Sequence, residues 1–205
     1  MEFQIRQTRA GDVTGVVALQ RECFPYPFDE NLLWKAEHID RHMQIFPKGQ
    51  FVAVLGSQVV GSATSLIITE ENWNAHHDWE TTVGGHYLNR HDPSGTTLYA
   101  VDISVSPGAR GLGIGRMLYE ARKDLVRELG LKRIGTACRI PDCMGWQLLS
   151  GGSAEEYVEL VCQEELKDRT LTPLLKMGMR LLGVQNDYME DEESGNAAAI
   201  LEWTP

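Results

Sequence analysis

Gly111, Gly113 and Gly115 alternate through the stretch VSPGARGLGIGRMLYEARKDL, Val105 to Leu125, where a β-branched run gives way to a helical period. That alternation constrains the fold more than any other feature, because a strand must end in a loop almost bare of side chains and pass at once into a helix. Glycine takes positive φ readily and lets a backbone come close to a ligand, so successive N–H groups can converge on an anion at the helix start. Arg110 and Arg116 add positive charge at both ends. A phosphate or diphosphate fits such a nest. Two commoner phosphate loops are excluded by the residues: Arg116 stands where a dinucleotide fold needs its third glycine, and no GK[ST] is present for a P-loop.

Strands and helices alternate around this loop. FQIRQT (3–8) reads as a strand and AGDVTGVVALQREC as a helix with Asp12 as its cap. After the break FPYPF a second cap, Asp29, opens ENLLWKAEHIDRHMQIF, with Leu32, Leu33, Ala36, Ile39, Met43 and Phe46 at helical spacing. QFVAVLG and QVVGSATSLIIT read as a hairpin turning at Gly56-Ser57. Residues 70–95, rich in Trp, His, Asn and Gly, hold no sustained period and read as a long excursion over one end of the sheet.

TTLYAVDISVS is a strand with Tyr99, Val101, Ile103 and Val105 on one face and Ala100, Asp102 and Ser104 on the other. Ile114, Leu118, Ala121, Leu125 and Leu129 mark the buried side of the next helix, which Gly130 ends. KRIGTACRI is a strand closed by Pro141. A helical insertion over 141–170 contains a helix from Ala154 to Leu166, followed by a short helix near Leu171–Met177 and last strands near Met179–Val184 and Ala197–Trp203. No linker or repeat divides the chain, so its 205 residues read as one domain able to bury a sizeable core.

Composition narrows the function. With 19 Lys and Arg against 29 Asp and Glu the net charge is −10, and no basic run offers a nucleic-acid footprint. A cationic small acceptor suits that balance. No apolar run nears the roughly 18 residues of a membrane span, and the first residues lack signal-peptide character. Cys23, Cys138, Cys143 and Cys162 show no paired close spacing, so free thiols in a reducing cytoplasm are expected. His38 and His42 stand four apart, and His76, His77, His86 and His91 share the excursion, but no third ligand or cysteine joins them; surface histidines and no metal are expected.

The pattern R-x-x-G-x-G, here Arg110 to Gly115, set after a strand and opening a helix, resembles that of the GCN5-related N-acetyltransferases (GNAT). The resemblance covers most of the chain and sharpens in its second half. HDPSGTTLYAVDISVSP, GIGRMLYEARKDL, RI before Pro, EEYVELV and DEESG…ILEW are similar to the acetyltransferase domain that some proteins carry ahead of a nitrilase-type carbon–nitrogen hydrolase domain. This chain stops at Pro205, so no hydrolase part is expected in it.

The resemblance implies an α/β (α+β) fold, a mixed twisted sheet of about seven strands with helices on both faces. It implies acetyl coenzyme A as co-substrate and no metal. The diphosphate would lie on Arg110, Gly111, Leu112, Gly113, Ile114, Gly115 and Arg116, and the pantetheine arm along Ile103, Ser104 and Val105. It also implies acetyl transfer, by direct attack, to a primary amine of a small-molecule or peptide acceptor. A non-catalytic acyl-coenzyme A sensor and transfer of a longer acyl group are the alternatives. The chain departs from that family at Asp142-Cys143, where a glycine and a tyrosine are usual, and at Asn186-Asp187-Tyr188, where Pro-Asn-Tyr is usual. Both departures bear on the acceptor pocket and leave the cofactor loop alone.

Such chemistry needs a group to take the proton of an amine whose pKa is about 10.4, and a tyrosine often serves the leaving thiolate. Asp102, mid-strand near the expected thioester, is one candidate; the competing reading is a buried ion pair with Arg139 on the neighbouring strand. Tyr188, between the last two strands, reads as a general acid, a pocket wall or a packed ring. Glu70 and Glu71, at a strand end, read as carboxylates reaching the same cleft or as a solvated pair, and MEDEESG as a solvated turn or a lure for a cationic acceptor. Trp73, Trp79 and Tyr87 leave packing, a lid or a homodimer contact open.

Overall fold

The structure is a computed structural model that describes residues 3–26 and 28–205. Among those residues seven strands form one mixed sheet: β1 (Phe3–Gln7), β2 (Gln50–Leu55), β3 (Gln58–Ile68), β4 (Thr97–Val105), β5 (Arg133–Arg139), β6 (Arg180–Gln185) and β7 (Ala198–Trp203), in the order β1-β2-β3-β4-β5-β7-β6. Only β4 and β5 run parallel. Helices cover both faces, as expected. On one face α5 (Ile114–Leu129) and α7 (Ala154–Cys162) bury Ile114, Leu118, Val126, Tyr157 and Val161 against Ala63, Leu98, Ala100 and Leu201. On the other, α1 (Val13–Cys23) and α2 (Ala36–Ile45) bury Val16 and Ile39 against Val52 and Val54.

Several expectations are corrected. Residues 70–95 are not one loop. Thr69 Oγ1 accepts from the Asn72 N–H at 3.1 Å and Asp78 Oδ1 from the Thr81 N–H at 2.8 Å, capping α3 (Glu70–Ala75) and α4 (Trp79–Val83). Helices this short set up no readable period. Trp73 is packed rather than displayed: it lies so close over Gly135 that a Cβ there would come within 2.5 Å of its ring.

The helix expected from Asp29 starts late, because the Trp34 N–H donates to the buried Gln20 Oε1 at 2.8 Å and α2 begins only at Ala36. Asp12 precedes α1 without capping it; Arg6 holds its carboxylate at 2.6 and 2.8 Å and the Arg9 N–H does so at 2.8 Å. The helix from Ala154 stops at Cys162, short of Leu166, with Glu164 turned to φ +62°. The 141–170 segment also holds α6 (Cys143–Ser150), and α8 (Leu171–Lys176) precedes β6.

Two irregularities position the site. β4 pairs with β5 only over Thr97–Tyr99 and Arg133–Gly135, after which the strands part. β4 also slips against β3, since Thr64 pairs with Asp102 but Ser65 with Ala100, leaving Val101 unmatched. The bulge overturns the simple alternation. Leu98, Ala100, Ile103 and Val105 share the α5 face, while Tyr99 and Val101 pack on the opposite one. The register puts Asp102 and Ser104, opposite Thr64 and Ser62, on that same side as Tyr99.

Candidate active site

The glycine loop follows a short 3₁₀ turn at Pro107–Ala109 and runs straight into α5. Gly111 and Gly113 have φ of +79° and +82°, which explains glycine there. Gly115 has no such need, and a Cβ added to it would meet nothing within 4 Å. Glycine inside a helix costs about 0.5–1 kcal/mol relative to alanine, so the protein's own packing gives no reason for it.

Among the described residues no protein group accepts from the N–H of Gly111, Leu112, Gly113, Ile114, Gly115 or Arg116; the first ladder bond is Met117 N–H to Gly113 O at 3.0 Å. A helix N-terminus with these donors unmet and its dipole unopposed attracts an anion. Arg110 and Arg116 are exposed beside it. Arg110 Nε also donates to Val105 O at 3.3 Å, tying the loop to the end of β4.

Where β4 and β5 part, side chains bridge the gap. Thr136 Oγ1 donates to Ala100 O at 2.9 Å, and the Ala137 N–H donates to the Tyr99 hydroxyl at 3.3 Å. That hydroxyl lies 2.8 Å from the hydroxyl of Tyr188. Both phenols are buried, and burial pushes Tyr99 up to about 12 and Tyr188 well above the usual range, so both are protonated at neutral pH. The Tyr188 main chain is fixed as well, its N–H donating to Asn196 O at 2.8 Å and its carbonyl accepting from the Trp79 N–H at 2.9 Å. Tyr188 is thus a packed ring whose hydroxyl belongs to a pair.

Asp102 stands on β4 between the parting point and the loop. Among the described residues its carboxylate has no ion pair; Ser104 Oγ donates to it at 3.2 Å. Burial pushes it up to about 6, against the opposing charges of Arg122 and Arg139 and the Ser104 hydrogen bond. The ion pair expected between Asp102 and Arg139 is not made. Arg139 instead grips Asp191 at 2.6 and 2.5 Å and Glu193 at 3.0 Å, and lies over the rings of Phe24 and Phe28.

Other candidates fall away from this centre. Glu70 is not a free carboxylate, because hydrogen bonds from Arg133, Thr96 and Lys132 pull it down to about 2. In the MEDEESG turn, Asp191 is buried and Glu193 braces both Arg139 and Arg169, so part of its charge is spent structurally. His38 and His42 are buried, not surface residues. His42 Nε2 donates to His86 O at 2.7 Å, its ring meets Trp34 edge-on, and burial drops it to about 4. Among the described residues no three His, Cys, Asp or Glu are arranged to hold a metal, and no helix is long and apolar enough to cross a membrane. The four cysteines are free thiols.

Sequence reasoning missed Tyr99, Thr136 and Arg122. The first two carry no local signal, since their roles depend on strands joined across long separations. Arg122 does carry one: it falls four residues after Leu118, on the apolar side of the loop's helix.

Comparison with known proteins gives the family. The chain is 36% identical to an uncharacterised N-acetyltransferase of Bacillus subtilis (strain 168), YkwB, over 199 residues that make up 97% of this chain and 87% of that one. It is 34% identical over 200 residues to a probable hydrolase of the same organism, YhcX, of which it spans 38%. Its fold matches the GNAT-like decarboxylase GphF, solved with isobutyryl-CoA, at a TM-score of 0.80 and 24% identity, covering 98% of each chain. It also matches the loading GNATL domain of CurA from Lyngbya majuscula, at 0.78 and 18%, covering 100% of this chain and 98% of that one. The model of the acetyltransferase (GNAT) family matches residues 13–143, from α1 to the start of α6, and the chain belongs to that family.

Proposed function

We propose that the protein is an acetyl-coenzyme A-dependent N-acetyltransferase acting on a primary amine of a small-molecule or peptide acceptor. One observation carries the reading: six consecutive main-chain N–H groups, Gly111 to Arg116, without protein acceptors at the start of α5. The residues fit the coenzyme. The nest and its two arginines would hold the diphosphate, and Ile103, Ser104 and Val105, on β4 beyond its pairing with β5, would take the pantetheine arm. When bound, the coenzyme supplies a thioester carbon open to attack by the amine.

Asp102 takes the proton of the incoming amine. A carboxylate raised to about 6 is still ionised at neutral pH yet more basic than an exposed one, which suits a general base. Tyr188 and Tyr99 supply the opposite need, a protonated pair from which a departing thiolate draws a proton. The bulge at Val101 puts Asp102 on the same face of the sheet as Tyr99, which supports this reading. Release of free thiol from acetyl coenzyme A, followed over a panel of amines with a longer-chain thioester in parallel, tests the proposal. Thiol release that needs an amine supports it. Tight coenzyme binding without release on any amine contradicts it and favours a sensor.

A further inference from the structure

Arg122 is wholly buried on α5, and among the described residues no carboxylate pairs with it. Its Nε donates to Ser65 Oγ at 3.0 Å, and one terminal nitrogen, Nη2, donates to Thr64 O at 2.8 Å and to Asp102 O. Its cation lies 5.0 Å from the centre of the Tyr119 ring. The other terminal nitrogen, Nη1, has no partner. Burying a guanidinium without a carboxylate is expensive unless its donors are used. The acceptors explain its presence: Thr64, Ser65 and Asp102 are the residues between which the β3–β4 register slips.

We infer that Arg122 is the positioning residue of this site: it clamps the β4 bulge from the α5 side and sets the charge that Asp102 senses through the sheet. The inference rests on Asp102 being the proton acceptor. The bulge is what moves Asp102 to the Tyr99 side, and a slip leaves main-chain carbonyls to be satisfied by something other than the ladder. A planar fork with several donors does this where lysine, a point charge, does not. The charge adds a second effect. The charges that reach the Asp102 carboxylate are Arg122 from α5 and Arg139 from β5; Tyr119 from α5 and Cys23 from α1 also face it but are held protonated, in part by Asp102 itself. Arg139 is already neutralised by Asp191, which leaves Arg122 as the cation without a carboxylate partner in this set.

The test is a carbon NMR titration of the Asp102 carboxyl in the native protein, in Arg122→Gln and in Arg122→Lys, beside kcat/KM profiles. In Arg122→Gln the Asp102 midpoint and the acid limb of kcat/KM should both rise by about one pH unit, and Arg122→Lys should restore the midpoint while leaving kcat low. An unmoved midpoint in folded Arg122→Gln overturns the inference. If neither variant folds, the native protein decides: the Arg122 Nε–H signal should titrate with the Asp102 midpoint, and a signal flat across it overturns the inference too. If the midpoint moves but Asp102→Asn keeps full activity, the clamp stands and the proposed base does not.

Discussion

The glycine loop and the parting of β4 and β5 lie at two ends of the same short stretch of β4, and they are built in opposite ways. In the loop the backbone is exposed and its donors are unmet. At the parting the hydroxyls of Tyr99, Tyr188 and Thr136 all have partners, and all three side chains are buried. In the proposed function the first would receive an anion, needing little beyond bare amides. The second is a buried framework of paired hydroxyls, and Asp102 stands beside it on β4 with Ser104 as its hydrogen-bond donor. If the first region binds and the second does the chemistry, as proposed, substitutions should divide cleanly between them.

Asp102→Asn should be the largest blow to turnover, lowering kcat/KM by roughly 10²–10⁴ while leaving the coenzyme Kd unchanged in calorimetry. In the native enzyme kcat/KM should fall as pH drops through about 6, because the carboxylate must be ionised to accept a proton. The stability effect has the opposite sense. A folded pKa raised above the unfolded value of about 3.9 favours the native state below that value and loses this as pH rises through about 6. Asp102→Asn should therefore gain roughly 3 kcal/mol over the native chain at pH 8 compared with pH 3.5, read by denaturant unfolding.

Gly113→Val strikes the other region. It should weaken coenzyme binding by roughly 100-fold, the loss of a few charge-assisted hydrogen bonds, at a fold cost of about 1–2 kcal/mol from the left-handed φ. Equal damage to turnover at saturating coenzyme would break the division between the regions. Tyr188→Phe should lower kcat by about 10-fold and cost about 1 kcal/mol for the lost hydroxyl contact, without touching coenzyme affinity. The smallest effect belongs to Arg110→Ala, a loss of affinity of about 3-fold in low salt that fades as ionic strength rises. A salt-independent loss would mean that its bond to Val105 O matters more than its charge.

The same contrast explains what could be read from the chain alone. The loop was legible because positive φ and bare backbone demand glycine at fixed places, a local requirement written in adjacent letters. The seven strands and most helices were legible from period and turn residues; α3, α4 and α6, of six, five and eight residues, are too short to show a period, and the start of α2 was misplaced. Asp102 could be located but its surroundings could not. Its face depends on a slip at Val101 that no spacing announces, and its expected partner Arg139 was claimed by Asp191, 52 residues on. Tyr188 was named without the Tyr99 hydroxyl that fixes it, 89 residues away. The buried histidines were misjudged for the same reason, since the carbonyl and rings around them come from separate segments.

The most direct test is a titration of the nitrogen-labelled native protein with coenzyme A, followed through its backbone amide signals. The amides of Gly111 to Arg116 should move furthest and saturate together as the diphosphate takes up their hydrogen bonds. Signals in that segment that stay in place at millimolar coenzyme, whether or not others shift, would contradict the account.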